Sequence, residues 1–366
     1  MAGDQHQLSA RTYSKETTLR VSLFERLADA PVYATHPLAR KNLHRREQQV
    51  PMIRPPFVNL IRNYRSHPAI LSLPSSLFYS NTLIPEATQT DSLQTWTGWQ
   101  GRRWPVLFSC NRGLDDCEDV QSPGGGWFNI QEAQKAIDYA KQLLSEKLIS
   151  DQAEICIMSP FHAQVRFLRQ HARGAGLQRV NIGPMEAFQG LESRFVIICT
   201  TRTRKRFLDD DELKGVGLVN QKKKFNVALT RAKEGLVVIG NPWVLATDPY
   251  WLAFLRFCHR NSLWQDNSLK YVPPHSKAVD VNDWRASHGE DDNFEITGLE
   301  AALLYKERDK TAGSQAAKRF MSGSESQEDA MWRAGLEAEQ RMKAKEALEI
   351  ADWTLFEQGQ VMLGSE

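Results

Sequence analysis

The sequence predicts an α/β fold built on a parallel sheet, and two observations carry that prediction. Short apolar runs alternate with stretches of helical periodicity through residues 103–241. The run "RFVIICTTRTR" (194–204) opens with five consecutive apolar residues from Phe195 and does not alternate, as a strand covered on both faces requires. In such a sheet, function is expected at the carboxyl ends of the strands.

The elements follow in order. "TTLRVSLFERLADA" (17–30) predicts an amphipathic helix with Leu19, Leu23, Phe24 and Leu27 on one face, and "RKNLHRREQQ" (40–49) a polar, basic connector. "PPFVNLIRNYRSHPAILSLPSSLFY" (55–79) reads as a short strand, a turn, and a helix starting near Pro68, since proline suits a first helical turn. "RWPVLFSC" (103–110) is a strand, and 111–127 an acidic loop running into Ser-Pro-Gly-Gly-Gly. Asn129 caps a helix over 131–149, with Ala133, Ala136, Ile137, Ala140, Leu143, Leu144 and Leu148 at helical spacing. "AEICIMSP" (153–160) is a buried strand, "AQVRFLRQHARGAG" (163–176) a helix stopped by glycines, and "RVNIG" a brief strand. Beyond the apolar strand at 194–204, "KRFLDDDELKGVGLVNQ" (205–221) reads as a charged loop, its "DDDEL" solvated. "FNVALTRAKEG" (225–235) then reads as a helix and "GLVVIGN" as a strand.

The 366 residues suffice for one large domain or two smaller ones, and 41% hydrophobic with 25% charged is an ordinary globular composition. The net charge of +2 is uneven: residues 1–264 carry +10 and residues 265–366 carry −8. A basic body permits nucleic acid without establishing it. Residues 265–327 have few apolar clusters and read as a disordered or loosely attached linker, and 328–366 as a charged tail, helical over 328–357. The tail is a candidate surface for protein partners. The five cysteines form no CxxC pair and no zinc-ligand spacing with the histidines, which fits a reducing compartment. No apolar run approaches the roughly 20 residues that cross a bilayer, and the first residues hold no apolar signal core. The expectation is an intracellular, cytoplasmic protein with no membrane partner.

Four stretches have the composition of phosphate or nucleic-acid contacts: "AGDQHQL" (2–8), "NYRSH" (63–67), "EAFQGLES" (186–193) and "NVALTRAK" (226–233). Singly each is weak. An arginine on a helix is usually a solvated charge, and Gln or Glu beside Gly is usually a turn residue. Their order and wording are specific. "GDxxQL … NYRSH … SPF…Q … EAFQGxE … NVALTRAK … GNP" resembles motifs III to VI of superfamily 1 helicases of the Upf-like branch, over roughly residues 2–260. Within that branch "NYRSHPAILSLPSSLFY", "GWFNIQEA" and "DPYWLAFLRFCHRN" look most like the Armitage-type (Moloney-leukaemia-virus-ten-like) RNA helicases.

The resemblance implies a RecA-like (P-loop NTPase-type) fold in two domains, ATP with Mg²⁺ in the cleft between them, and single-stranded RNA across the top. It implies that residues 1–50 are a remnant of the first domain with a connector, and 51–264 the second domain. Arg65 and Arg231 match the two arginines that reach the γ-phosphate; a planar guanidinium fork is what such a phosphate needs. Tyr64 matches the aromatic stacked near the adenine, Glu192 the carboxylate on the ribose, and Gln7 the motif III glutamine that senses the γ-phosphate. On the RNA side Ser159, Pro160 and Gln164 match motif IV, and Gly183 through Gln189 match motif V, as backbone contacts without sequence readout. One departure is Pro184, which stands where relatives place a hydroxyl residue and has neither hydroxyl nor N–H to offer.

GxxxxGK(S/T) and a strand-borne Asp-Glu pair, which this chemistry requires, are not found in the 366 residues. The chain therefore reads as the carboxyl half of an ATP-dependent RNA helicase. The alternative is a non-catalytic nucleic-acid-binding scaffold that kept the fold without ATPase activity.

Overall fold

A computed structural model describes residues 2–8, 21–36, 39, 58–118, 126–265, 299–300, 302–304 and 306–307. Residues up to Leu303 form one compact unit and those from Leu304 a second, and the elements that follow all belong to the first. In chain order its elements are α1 (Leu23–Ala28), α2 (Pro31–Ala34), β1 (Arg62–Asn63), α3 (Pro68–Phe78), β2 (Ile84–Pro85), β3 (Val106–Cys110), β4 (Asp116–Cys117), β5 (Trp127–Phe128), α4 (Ile130–Ser145) and β6 (Ile155–Met158). There follow α5 (His162–Gly174), β7 (Asn181–Gly183), β8 (Ser193–Cys199), α6 (Leu208–Lys214), α7 (Lys222–Leu229), β9 (Ala232–Gly240), α8 (Pro242–Leu245), α9 (Pro249–Arg260) and β10 (Trp264–Gln265).

Six strands form one sheet in the order β10-β3-β9-β8-β6-β7, and every pairing in it is parallel. Parallel neighbours need crossovers, and the helices supply them on both faces. One face buries Leu107, Ile157, Ile197 and Val237 under α4 and α5, with Trp96, Trp99 and Phe195 filling the same layer. The neighbouring strand residues point the other way. There Phe108 meets Phe254 of α9, Phe225 of α7 meets Trp251, and Phe78 of α3 stacks on Tyr250. Being covered twice, β3, β6 and β9 hold almost no exposed residue, hence their unbroken apolar runs. Gly235 of β9 is required by packing: a Cβ there would lie 2.5 Å from the Phe195 ring.

Neighbouring strands lead to opposite faces at more than one place: β6 passes into α5 and its neighbour β8 towards α7, and the divergence recurs between β3 and β9. From β3 the chain passes through α4 to β6, on the β9 side of the sheet. From β9 it returns through α8 and α9 to β10, on the far side of β3. The carboxyl ends of the adjacent strands β3 and β9 therefore flank a topological switch point.

Several elements differ from expectation, each for a physical reason. The helix capped by Asn129, whose side chain accepts from Glu132 N, ends at Ser145, because Lys147 turns to positive φ. "DDDEL" is helix and not loop: it lies in α6, with Asp209, Asp210, Glu212 and Leu213 exposed as expected and Asp211 buried against Arg202. Within 111–127, β4 pairs antiparallel with β5. "FNVALTRAKEG" is not one helix. Its helical part stops at Leu229 and its strand begins at Ala232, because Ala232 pairs with Ser193 of β8. The connector 40–49, Leu19 and nearly all of 265–366, including the expected helix 328–357, lie outside the described residues. Within the expected linker, Glu300 is fully buried, accepting from Arg260 at 2.5–2.6 Å and from Asn261 at 2.6 Å.

Candidate functional site

The turn "NYRSH" is stapled onto the start of β9. The Asn63 side chain accepts from the backbone N–H of Arg65 (3.1 Å) and Ser66 (3.0 Å), folding a tight polar turn. Ser66 Oγ then donates to Ala232 O at 2.7 Å, and His67 N to Lys233 O at 2.8 Å. Arg65 is thus delivered beside the two segments that precede β8 and β9. Its Nε donates to Glu192 Oε2 at 2.8 Å and its Nη1 to Thr230 O at 3.1 Å. Lys233 Nζ donates to the other Glu192 oxygen at 3.1 Å. The bond from Arg65, helped by that from Lys233 and opposed by partial burial, holds the Glu192 carboxyl below its ordinary range.

Arg231 sits in the junction between α7 and β9 and is only 3% exposed. Its donors go to Val227 O (3.1 Å), Leu191 O (3.2 Å) and Thr230 Oγ1 (3.2 Å). Among the described residues no carboxylate pairs with it directly. Burial, then the like charge of Arg65, pushes its pKa down to about 10. Tyr64, adjoining this group in sequence, is 66% exposed. Arg65, Glu192 and Arg231 are therefore one hydrogen-bonded neighbourhood, although 127 residues separate Arg65 from Glu192. It stands at the amino ends of β8 and β9, not at the carboxyl ends where a parallel sheet was expected to place function.

Gln7 is held nearby through a relay. Gln7 Nε2 donates to Asp4 Oδ2 at 2.9 Å, and the Tyr79 hydroxyl donates to that oxygen at 2.7 Å. Asn226 of α7 donates to the Tyr79 oxygen (2.8 Å) and to His6 O (3.0 Å). Thr230, whose carbonyl holds Arg65, donates its N–H and hydroxyl to Asn226 O at 3.1 and 2.7 Å. The segment 2–8 is thereby tied to the helix that ends at the arginines. Asp4, Asn226 and Lys233 belonged to stretches the sequence singled out, and Tyr79 to the stretch that follows Arg65, but none of the four was assigned a role there.

Of the other five expected residues, Ser159, Pro160, Gln164 and Gly183 lie at the opposite edge, at or beyond the carboxyl ends of β6 and β7, and the structure spends them differently. Ser159 is fully buried, its hydroxyl 3.0 Å from that of Thr201, and Pro160 is buried beside it. Gln164 is also fully buried. It accepts from Asn129 N at 2.6 Å and donates to Asn129 O at 3.1 Å, fixing the residue that caps α4. The Gln164 side chain is thus a brace and not an outward contact in this structure. Gly183 is buried at the end of β7 and accepts from Ser159 N at 3.2 Å. Gln189 alone of the five has an exposed side chain, which donates to Leu8 O at 3.2 Å. It joins the segment 2–8, not the motif IV loop.

Two buried groups at this edge escaped sequence reading. Arg202 is 2% exposed, bonds Asp115 once and Asp211 twice at 2.6–2.7 Å, and lies over the Trp127, Phe161 and Phe207 rings. Glu132, in the first turn of α4, is fully buried and accepts from Thr201 N at 2.7 Å. Burial, opposed only in part by that bond and by Asn111, raises its pKa to about 8. Among the described residues no group of three or more His, Cys, Asp or Glu is placed to hold a metal ion. No described helix is long and apolar enough to cross a membrane.

A family model described as an AAA domain matches residues 19–243. The human protein named RNA helicase Mov10l1 is 33% identical over 278 residues, covering 74% of this chain and 22% of that protein. A zebrafish protein named putative helicase mov-10-B.1 is 37% identical over 213 residues, covering 54% of this chain and 21% of that protein. The fission-yeast protein named ATP-dependent helicase upf1 is 29% identical over 294 residues, covering 75% of this chain and 28% of that protein. The chain thus spans about a quarter of the length of the curated relatives it matches, or less.

Proposed function

The chain belongs to the AAA domain family, in the Upf1-like superfamily 1 helicases of Armitage and MOV10 type, and from that premise we propose that it is the second RecA-like domain of an ATP-dependent RNA helicase. In this reading it supplies the guanidinium fingers and the ribose contact to an interdomain ATP site, and half of a single-stranded RNA track. ATP with Mg²⁺ is the cofactor, held jointly with a phosphate loop that these 366 residues do not contain.

One observation carries the reading. Two guanidinium groups are held close enough to repel, with Arg231 buried on carbonyl and hydroxyl acceptors and with Glu192 the carboxylate bonded to Arg65. Desolvating an arginine without a paired carboxylate is costly, and a polyanion relieves both the repulsion and the missing countercharge. The exposed Tyr64 ring beside this pair suits a nucleobase, and the 44%-exposed Glu192 side chain suits hydroxyl donors. The residues present therefore fit the triphosphate end of a nucleotide. When bound, the nucleotide supplies the phosphoanhydride whose cleavage develops charge; Arg65 and Arg231 are the groups positioned to meet it.

For RNA, the support lies in the family membership and the basic body, with the edge loops after β6 and β7 as the proposed contact. Ser159 and Gln164 act there by fixing loop shape. The test is to purify the 366-residue chain and measure ATP turnover and RNA binding. No turnover is expected, with weak RNA binding that falls steeply with salt. Robust ATP hydrolysis abolished by Arg231→Ala would refute the half-site reading.

A further inference from the structure

The switch point between β3 and β9 carries a pair of side chains that the motif residues do not include. Arg112 follows β3 by two residues and Trp243 follows β9 by three. The Arg112 guanidinium carbon lies 5.2 Å from the centre of the Trp243 ring. Trp243 remains 38% exposed, and Arg112 is exposed. Both carriers are fixed. Asn111 N donates to Gly240 O at 2.8 Å, tying the two strand ends together. The Asn111 side chain accepts from Gly113 N (3.3 Å) and donates to Asn129 Oδ1 (3.1 Å), which sets the Arg112 backbone. Asn241 accepts from the N–H groups of Trp243 (3.0 Å) and Val244 (3.3 Å), which sets the indole.

The contrast with the neighbouring cation–aromatic group decides what this pair is for. Arg202 also lies over aromatic rings, but it is buried and neutralised by Asp115 and Asp211, so it serves the fold. Arg112 and Trp243 have the same chemistry at the surface, in the crevice where open parallel sheets receive ligands. An indole held rigid with a guanidinium over it offers a π-face for a base and a cation for the adjoining phosphate.

We propose that Arg112 and Trp243 form a base-stacking subsite for single-stranded nucleic acid at the β3/β9 switch point. The inference rests on the RNA reading above. It extends the contact edge from the carboxyl ends of β6 and β7 across β8 to β9 and β3. Adjacent strands are about 4.8 Å apart, so the subsite lies roughly 10–20 Å from the motif IV and V loops, a span of a few nucleotides. It is independent of sequence, because every base has a π-face.

The test titrates a fluorescently labelled 12-nucleotide oligouridine with the full chain at several salt concentrations and follows anisotropy. Trp243→Ala is expected to weaken binding about tenfold with little change in salt slope. Arg112→Ala is expected to weaken binding and to lower the log–log salt slope by about one. Arg173→Ala, an exposed charge on α5, serves as the control with little effect. Should Trp243→Ala fail to fold, Trp243→Phe and Trp243→Leu decide: both keep apolar bulk, and only Phe keeps a π-face and near-normal binding. If the wild-type chain binds the oligonucleotide and Trp243→Leu binds it equally well, the subsite is overturned and the RNA reading stands. If the wild-type chain binds no RNA even at low salt, the RNA reading falls and the subsite with it.

Discussion

Glu132 provides a measurement of how the carboxyl edge of the sheet is built. The carboxyl is fully buried in the first turn of α4, accepting from Thr201 N, with the Thr200 hydroxyl 3.4 Å away. Burial, partly offset by the Thr201 and Asn111 bonds, raises its pKa to about 8, against an ordinary 4.5. A raised folded-state pKa means that the native chain binds this proton more tightly than the unfolded chain. Its stabilising contribution is therefore complete below pH 4.5 and is lost as pH rises through 8. Between those limits the loss is about 1.4 kcal/mol per pH unit, so from pH 5 to pH 7 it is on the order of 2–3 kcal/mol. Glu132→Gln replaces the carboxyl by a neutral isostere that keeps an acceptor for Thr201 N. Urea unfolding of both proteins at pH 5, 6, 7 and 8 isolates the effect, since all other titrating groups cancel in the difference. The wild type should lose stability relative to the variant across that range. Parallel pH profiles would show that the site is hydrated or the carboxyl already ionised, and would refute the burial argument.

The other expectations concern the same frame. Arg202→Met should cost about 3–5 kcal/mol by leaving Asp115 and Asp211 buried beside one another without their shared cation, read as a fall in the urea midpoint. Gln164→Leu should cost about 1–3 kcal/mol by orphaning the buried Asn129 N–H, read as a lower melting temperature; a stability equal to wild type would return Gln164 to the candidates for direct ligand contact. Gly235→Ala should destabilise by about 1–3 kcal/mol, since its methyl meets the Phe195 ring. Tyr79→Phe should cost about 1 kcal/mol and speed amide exchange in residues 2–8, by removing the hydroxyl that joins Asp4 to Asn226.

What the sequence showed, and what it hid, divides by the range of the interaction. The apolar strands and the Asn129 cap are local patterns, and the structure has them. The α7–β9 junction was misplaced because "FNVALTRAKEG" is a good helix by propensity, while Ala232 is claimed by its pairing with Ser193 of β8. In "DDDEL" the one buried residue, Asp211, looked solvated like its neighbours because nothing local neutralises it. Its partner Arg202 lies nine residues away, and the box around that arginine draws on Asp115, Trp127 and Phe161. Arg65, Glu192 and Arg231 were legible as a group only through the family resemblance, since no spacing rule joins residues 127 apart in sequence. The Arg65–Glu192 bond, and the hold of Thr230 and Leu191 on Arg231 beside it, required coordinates. Gln164 was read outward because the same amide chemistry serves a ligand or a helix cap, and only burial separates the two.

The two edges of the sheet carry different chemistry, and the strands between them determine how one edge can affect the other. β9 has Arg231 immediately before it and Trp243 shortly after it; β8 has Glu192 before it and Thr200 and Thr201 after it. A nine-residue strand spans about 30 Å, too far for direct electrostatic coupling through screened solvent. Nor can the strands slide past one another: β8 and β9 pair along nearly their whole length, and residues Phe195–Cys199 and Leu236–Ile239 are buried between helices on both faces. Close-packed interiors of this kind transmit displacement and do not absorb it. A shift imposed at Arg65 and Arg231 would therefore reach the Trp243 edge by rotation of the whole body, and not by deformation along β9. Substitutions in the middle of β8 or β9 should then alter stability without separating the behaviour of the two edges. Loss of the Asn111–Gly240 or Ser66–Ala232 bond should disturb one edge and leave the other intact.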